Sequence, residues 1–215
     1  MKTILILSGG MDSSTLLYKL LNEGHEIKAL SFDYGQRHKI ELKKAKELCD
    51  KLGVSHKIVD LTSITSLISN SSLTSDKAVP EGHYEDQTMK QTVVPNRNMI
   101  MASIAIGYAV NEEFDGVALG VHAGDHAIYP DCRPEFIREL RFIARIANYR
   151  PINIITPFPF NSKGDIARIG EELNVDFSLT HTCYKGGEEP CMKCGSCRER
   201  EEAFNQIGIK DPLCK

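Results

Sequence analysis

The sequence predicts an α/β fold with a doubly wound, mostly parallel sheet and a short cysteine-rich segment at its C-terminal end. Three observations predict it. Short apolar runs alternate with stretches of helical periodicity, a glycine turn joins the first run to the first helical stretch, and the cysteines crowd together after residue 180. The 215 residues are enough for one domain with a full core.

The first strand and helix are predicted between residues 2 and 24. Lys2–Leu7 is a largely apolar run that ends at Ser8-Gly9-Gly10, as expected of a strand buried on both faces. Asp12–Leu21 has leucines at helical spacing and ends before Gly24, a residue type that commonly terminates helices. A strand, a glycine turn and a helix form the first half of a βαβ unit.

The same alternation continues along the chain. Further strands are predicted at Glu26–Phe32, Val54–Leu61, Gly116–Val121 and Ile152–Thr156. Further helices are predicted at Lys39–Leu52, Asn98–Val110, Pro134–Asn148 and Ser162–Leu173. Residues 62–94 lack a clear period, which predicts a long loop or lid with one short helix. The charged run Lys39–Lys51 is expected to form the solvated face of its helix.

Charge and hydropathy argue against two classes of partner. Acidic residues outnumber basic ones by 29 to 26, whereas domains that bind nucleic acid usually run basic, so no nucleic-acid partner is expected. No apolar run reaches the length of a membrane span, and Thr3–Leu7 is too short for a signal peptide. A cytoplasmic protein with no membrane partner is expected.

A glycine- and serine-rich loop follows the first predicted strand: Ser8, Gly9, Gly10, Met11, Asp12, Ser13 and Ser14. Its glycines let the backbone approach a ligand, and the helix N-terminus after it offers N–H groups that bind phosphate oxygens. The serine hydroxyls add donors, and Asp12 could hold Mg²⁺ or orient the loop. The alternative is a plain turn in which Asp12 or Ser13 caps the helix. No Walker or dinucleotide motif is present.

Four cysteines have the spacing of a metal site: Cys183, Cys191, Cys194 and Cys197. Four thiolates with two C-x-x-C steps can close a tetrahedral site, for which Zn²⁺ is the expected metal. An iron–sulfur cluster uses the same ligands and is the alternative. His181 is near enough to be a substitute ligand, and Cys214 is expected to be a free surface thiol.

Several charged residues are predicted at the carboxyl edge of the sheet, where open α/β sheets bind ligands. Arg97 heads a buried helix, and its guanidinium suits a carboxylate or phosphate, the alternative being a solvated arginine. Lys163 begins the last predicted helix and could neutralise phosphate, or else be a surface lysine. Asp125, Asp131 and Arg133 lie in one segment after a predicted strand and are candidate substrate ligands; for Asp125 the alternative is a surface turn residue.

Five motifs, in this order, resemble the 7-cyano-7-deazaguanine synthase (QueC) family of the adenine nucleotide alpha hydrolase superfamily. They are the loop Ser8–Ser14, Phe32–His38, Pro95–Asn98, Tyr129–Arg133 and the cysteine cluster, and the resemblance runs from Thr3 to about Arg198. It implies an ATP-dependent ligase that adenylates 7-carboxy-7-deazaguanine. Ammonia then forms the amide, and a second ATP converts the amide to the nitrile.

The resemblance also implies how the chain is organised. Residues 1–180 would form a pyrophosphate-loop nucleotide-binding domain, with 181–215 as a zinc-binding tail, and the protein would be a homodimer. The loop would hold the phosphates of ATP with Mg²⁺, and Asp12, Arg97 and Lys163 would be catalytic. Asp125 would pair with the N–H edge of the guanine-like base.

One segment departs from the commoner family pattern. Where many members have Cys-Glu-Thr-Asp-Phe-Ser-Gly, His122–Ile128 retains Asp125 but brings in His122 and His126, which are either new site residues or plain loop residues. One alternative is therefore a related ligase that joins the deazapurine carboxylate to an amine of a protein or nucleoside and stops at the amide. Others are a tRNA-thiolating enzyme using Cys132, and an inactive nucleotide-binding fold with a zinc-ribbon interaction module.

Overall fold

The computed structural model describes residues 1–214 and contains one five-stranded sheet. The strands are β1 (Lys2–Ile6), β2 (Glu26–Asp33), β3 (Ser55–Asp60), β4 (Gly116–Ala118) and β5 (Asn153–Ile155). Their order across the sheet is β3-β2-β1-β4-β5, and all neighbouring pairs are parallel. The predicted parallel sheet is confirmed.

Helices cover both faces of this sheet. They are α1 (Met11–Asn22), α2 (Ile40–Leu52), α3 (Arg97–Asn111), α4 (Pro134–Ile146), α5 (Lys163–Glu172) and α6 (Gly195–Gln206). One core contains buried residues of α3 and α4, and the other contains buried residues of α1, α2 and α5. Within residues 1–214, no helix is long and apolar enough to cross a membrane.

The strand order places a binding cleft at the centre of the sheet. The chain runs outward from β1 through β2 to β3, then returns to β4 on the other side of β1. Connections therefore diverge at the carboxyl ends of β1 and β4, and the crevice between diverging connections is where open α/β sheets bind ligands.

Two predictions about individual elements are wrong. Residues 62–94 contain two short 3-10 helices, Thr62–Leu67 and Gln87–Thr92, instead of one short helix. No helix was predicted at α6 either, a strongly polar helix that begins inside the cysteine cluster. Its buried face includes Arg200, which an apolar pattern does not reveal.

The chain after residue 180 packs through α6 against the helices α1 and α5. Ala203 and Phe204 join a buried cluster with Met11 of α1 and Ala167 of α5. The rings of Phe177 and Phe204 meet edge to face with centroids 5.1 Å apart, a favourable arrangement for aromatic pairs. The segment is therefore held against these two helices, while a domain boundary at residue 180 stays a prediction.

Candidate active site and metal centre

The cleft at the carboxyl edge measures about 1100 Å³ including its open mouth. The loops after β1, β2 and β4 line it, together with the N-terminal ends of α3 and α5. Eight predicted site residues line it: Ser8, Gly10, Met11, Asp12, Ser13, Arg97, Asp125 and Lys163. Asp131 and Arg133, which were predicted beside them, do not.

The turn after β1 depends on glycine at position 9. Gly9 has φ of +88°, and a Cβ atom there would collide with the backbone oxygen of Glu41 in α2. The backbone N–H of His181 donates to the Gly9 oxygen at 2.9 Å. The turn is thus held between α2 and the start of the cysteine-rich segment.

Hydrogen bonds within the loop leave the N-terminus of α1 open. The backbone N–H of Ser8 donates to Ser13 Oγ at 3.1 Å, and the N–H of Gly10 donates to Ser8 Oγ at 3.1 Å. Gly10 is the N-cap residue, and no side chain among residues 1–214 caps the helix, so the capped-turn alternative is not observed. An uncapped helix start facing a cleft is suited to bind an anion.

Lys163 is the centre of a buried ionic cluster beside this loop. Its Nζ donates to Asp12 Oδ2 at 2.6 Å and lies 3.4 Å from both Glu199 Oε2 and His122 Nε2. Burial works to lower the pKa of Lys163, but Asp12 and Glu199 outweigh it and hold that pKa above its usual value. Burial also works to raise the pKa of Asp12, but Lys163 and His122 hold it below its usual value. Both groups are therefore charged near neutral pH.

Asp125 and His122 join the cluster from the loop after β4. His122 is buried, accepts from the N–H of Gly124 through Nδ1 at 3.1 Å, and has Nε2 3.6 Å from Asp125 Oδ1. Tyr84 OH donates to Asp125 Oδ1 at 2.9 Å. His122 is thus a cluster member and not a plain loop residue, and Asp125 already has protein partners.

Arg97 presents an unpaired guanidinium to the cleft. Its Nη1 donates to Tyr34 OH at 3.4 Å, and its guanidinium carbon lies 6.0 Å from the centre of the Tyr34 ring. No carboxylate within residues 1–214 forms an ion pair with it. Burial works to lower the pKa of Arg97, but Tyr34 and Asp131 raise it well above its usual value. The group is suited to bind an anionic substrate.

Asp131 and Arg133 lie outside the cleft lining and form hydrogen bonds with backbone groups of the protein. Asp131 Oδ2 accepts from the backbone N–H of Asn98 at 2.8 Å, in the first turn of α3 beside Arg97. Arg133 Nε donates to the backbone oxygen of His126 at 2.9 Å. A substrate-binding role for either residue stays a prediction.

Tyrosines that were not among the predicted site residues form an aromatic wall of the cleft. The wall comprises Tyr34, Tyr84, Tyr129 and Tyr184. Tyr129 OH lies 2.7 Å from Thr92 Oγ1 and 3.1 Å from Tyr184 OH, which fixes both rings. Tyr34 and Tyr129 fall within motifs of the family resemblance, whereas Tyr84 and Tyr184 lie in segments without a periodic signal. Such flat faces suit a purine-like ring.

Glu41 and His38 also line the cleft, and the predicted solvated helix face is wrong for Glu41. Its side chain is 13% exposed, and its Oε2 lies 3.6 Å from His38 Nε2. Burial raises the pKa of Glu41 to about 8 in spite of the nearby Arg97. Burial lowers the pKa of His38 to about 3, with a further contribution from Arg97. His38 is therefore neutral.

The four clustered cysteines converge on one point, confirming the predicted grouping. The sulfur atoms of Cys183, Cys191, Cys194 and Cys197 all lie within 4.8 Å of one another. Tetrahedral Zn²⁺ with bonds of about 2.3 Å places its sulfur ligands roughly 3.8 Å apart, so this donor set fits a four-coordinate metal. His181 points elsewhere, with Nε2 3.2 Å from the Cys183 oxygen, and Cys214 is partly buried against Asp211.

The metal centre is joined to the cleft by short connections. Cys194 forms an isolated bridge with Glu81, and a Cβ atom at Gly195 would crowd Met89 and the backbone of Tyr84. Glu199, which contacts Lys163, lies only two residues after Cys197 in the chain. The cysteine cluster therefore positions two residues of the site, Tyr84 and Glu199.

Comparison with known proteins identifies the family. Residues 2–208 match the family described as "Queuosine biosynthesis protein QueC". The chain belongs to the QueC family. It is 53% identical to a 7-cyano-7-deazaguanine synthase of Marinomonas sp. (strain MWYL1) over 212 residues, which are 99% of this chain and 97% of that protein. It is 56% identical to the protein of the same name from Alteromonas mediterranea over 210 residues, which are 98% and 96% of the two chains.

Solved structures of lower sequence identity share the fold of this QueC-family chain. NMN synthetase from Francisella tularensis superposes with a TM-score of 0.53 at 14% identity, over 97% of this chain and 77% of that one. At this identity the similarity shows the fold alone. It agrees with the α/β architecture that the sequence predicts.

Proposed function

We propose that this protein is an ATP-dependent C–N ligase that converts 7-carboxy-7-deazaguanine into 7-cyano-7-deazaguanine. The observation that carries the proposal is identity above one half, over nearly the whole chain, to proteins that bear this name. The cleft supports it, because an uncapped helix N-terminus and an unpaired arginine line the same space.

The first chemical task is to activate a carboxylate, which is a poor electrophile because oxide would have to leave. The carboxylate oxygen attacks the α-phosphorus of ATP and pyrophosphate leaves, which gives an acyl adenylate. AMP is then a good leaving group from the acyl carbon. The N–H groups of the loop Ser8–Ser14 would bind the phosphates and spread the charge that develops as pyrophosphate departs. Mg²⁺ would neutralise part of that charge, and Asp12 fits as its ligand because the buried Oδ1 has no hydrogen-bond partner within residues 1–214.

Lys163 and Arg97 would supply the fixed positive charges. Asp12 and Glu199 keep Lys163 protonated beside the loop, where it can donate to a phosphate oxygen. Arg97 can bind the substrate carboxylate or the departing pyrophosphate with two parallel hydrogen bonds. Because both groups are in place before the reaction, little reorganisation is needed as charge develops.

The aromatic wall would hold the deazaguanine ring. Tyr84 OH and the backbone N–H of His122 fix the two carboxylate oxygens of Asp125, at 2.9 Å and 3.4 Å. Each oxygen has a second lone pair, with which Asp125 would accept from the N–H edge of the base. Asp131 and Arg133 would contribute through the backbone segments that they hold, at the start of α3 and in the loop after β4.

Zn²⁺ is the metal we assign to the cysteine cluster. Four sulfur ligands fill a tetrahedral site and leave no open position, which is the pattern of a structural zinc site. Bound there, the metal would fix the fold of the segment that carries Glu199. We further propose a cytoplasmic homodimer with a nucleotide-binding unit at 1–180 and a zinc-binding tail at 181–215, as the family resemblance implies.

The alternatives have less support from the site. His122 motivated the amide-forming ligase, but it lies buried behind Asp12 and Asp125, away from the cleft surface. Cys132, the thiol considered for tRNA thiolation, is buried, and burial raises its pKa well above the usual value. A buried neutral thiol is a poor nucleophile.

A product assay tests the proposed function. The pure protein is incubated with ATP, Mg²⁺, ammonium and 7-carboxy-7-deazaguanine, and products are identified by mass spectrometry. The nitrile and AMP are expected. A product that stays at the amide with saturating ammonium would support the alternative ligase, and formation of ADP without the carboxylate would contradict the whole proposal.

A further inference from the structure

A buried carboxylate in the cleft lacks the partners that buried charges normally have. The side chain of Glu41 forms no hydrogen bond within residues 1–214, and its carboxylate contacts the ring of His38, with Oε2 3.6 Å from Nε2. His38 is 3% exposed at its side chain and its Nδ1 also lacks a partner. Since buried polar groups are nearly always hydrogen-bonded, an unpartnered pair in a cleft points to a ligand or a chemical role.

The pair lies between the two anion-binding features of the cleft. The backbone oxygen of Glu41 abuts Gly9 of the phosphate loop, so the first turn of α2 and the loop share one wall. Arg97 is near enough to influence the ionisation of both Glu41 and His38. A carboxylate held by Arg97 and activated at the loop would therefore lie in the same cleft that Glu41 lines.

We propose that Glu41 is the general base that removes protons from the reacting nitrogen. This inference rests on the proposed function and adds a residue to it. Ammonia is present mainly as ammonium near neutral pH, and ammonium has no lone pair with which to attack. Glu41 would take one proton from ammonium, and the ammonia left would form the C–N bond as the bond to AMP breaks. After the first proton has passed to solvent, Glu41 would take a second proton from the same nitrogen, which leaves the neutral amide.

The second activation places a further demand on a base. The amide oxygen attacks the α-phosphorus of ATP, pyrophosphate leaves, and the nitrogen loses one proton. The resulting adenylate then loses AMP and the second nitrogen proton to give the C≡N bond. Each of these protons leaves the same nitrogen, so one well-placed carboxylate can serve both steps, returning its proton to solvent in between.

The charges around Glu41 suit this role. Burial raises its pKa to about 8 even though Arg97 and Lys163 act in the opposite direction and Cys183 and Asp12 act with burial. A base with a pKa near the working pH is both available and strong enough to accept a proton. His38 stays neutral and so does not neutralise the carboxylate.

Glu41→Gln separates the nitrogen steps from activation. Three quantities are measured: carboxylate-dependent exchange of pyrophosphate into ATP without ammonium, amide and nitrile formation with ammonium, and hydroxamate formation with hydroxylamine. Hydroxylamine is largely unprotonated at neutral pH and needs no base to attack. The matched control is Glu47→Gln, at a partly exposed glutamate of the same helix.

The proposal expects Glu41→Gln to keep exchange and hydroxamate formation and to lose about 100-fold or more in the ammonium reaction, a typical effect of removing a general base. Glu47→Gln should match the wild type in all three. Loss of the hydroxylamine reaction, or a raised KM for the carboxylate in exchange, would overturn the proposal by showing that Glu41 holds the substrate. No exchange by the wild type would instead refute the proposed function itself.

Discussion

Individual charged residues in the cleft differ in how they are compensated. Lys163 lies among three carboxylate or imidazole groups within 3.4 Å, whereas Glu41 has only a neutral histidine at 3.6 Å. Opposite charges in contact with a group keep it in its charged form across neutral pH. Burial of a carboxyl group without such a contact raises its pKa towards neutral pH, so that it can gain or lose a proton there. Lys163 is therefore suited to a fixed electrostatic role, and Glu41 is suited to proton transfer.

Replacing Lys163 by Ala tests the fixed role. The change leaves Asp12 and Glu199 buried and close together without their common cation, which costs about 3–5 kcal/mol when a buried pair is broken. It also removes a charge at the phosphates, so pyrophosphate exchange should fall by roughly 100-fold or more. Lys46→Ala, which breaks an exposed pair with Asp50, is the control. Exchange unchanged in a folded Lys163→Ala variant would exclude the catalytic role.

The raised pKa of Glu41 predicts a pH-dependent stability. The folded protein binds this proton more tightly than the unfolded chain, whose pKa is near 4.5, so the contribution of Glu41 becomes less favourable as pH rises from 4.5 to about 8. Glu41→Gln should be more stable than the wild type by up to about 5 kcal/mol near pH 8 and equal to it near pH 4, at about 1.4 kcal/mol per pKa unit.

Urea unfolding of both proteins across this pH range measures the difference. Glu47→Gln, which replaces a partly exposed residue, should show no such trend. A free-energy difference between Glu41→Gln and the wild type that does not change with pH would contradict the raised pKa.

At the scale of elements, α6 connects the metal centre to the active site. Cys194 precedes the helix, Cys197 lies in its first turn, and Glu199 follows with its contact to Lys163. A shift at the first turn of α6 would therefore move Glu199. Metal removal should affect adenylation as well as folding.

Cys194→Ser tests this connection. It should lower zinc content and stability, and it should reduce pyrophosphate exchange because Glu199 and Tyr84 lose their support. Elemental analysis and thermal unfolding measure the first two effects. Cys49→Ser and Cys214→Ser should keep full zinc. A brown protein containing iron, or zinc retained in Cys194→Ser, would show that the metal assignment is wrong.

The elements that the sequence predicts well are those whose signal is local. The leucines of α1 have helical spacing and β1 is a largely apolar run. The observed bounds of both elements differ from the predicted ones by at most one residue at each end. The helix α6 escaped prediction because cysteines and glycine start it and a buried arginine sits in its packed face. Glu41 was predicted to be solvated because α2 is rich in lysine. Its burial depends on the tertiary structure, in which the loop at Gly9 packs against the first turn of α2.

At the scale of the molecule, the sheet topology explains why distant residues meet. The strand order places the loops after β1 and β4 side by side, which brings Asp12, Asp125 and Lys163 to one edge. That edge follows from the predicted alternation of strands and helices. Which charge pairs with which depends on side-chain positions within the tertiary structure, so the contact of Glu199 with Lys163 could not be derived from sequence.

The proposed homodimer has a candidate surface on α4. Phe142 and Ile146 are 60% and 64% exposed on one face of this helix, and Glu139 and Arg145 flank Phe142 at equal distances along the chain. In an antiparallel pair of α4 helices centred on Phe142, Glu139 would face the partner's Arg145, so the surface is complementary to itself. Exposed apolar side chains with such a charge pattern are typical of interfaces between copies.

Phe142→Glu should therefore convert a dimer into a monomer, because it places a carboxylate at the centre of the apolar contact and beside the partner's copy of the same charge. Sedimentation velocity of wild type and variant at equal concentration measures the change, and circular dichroism checks that the fold is kept. Leu67→Glu, at a residue that is 80% exposed in a 3-10 helix of the long loop, is the matched control and should stay dimeric. A Phe142→Glu variant that sediments as a dimer would place the interface on another face of the molecule.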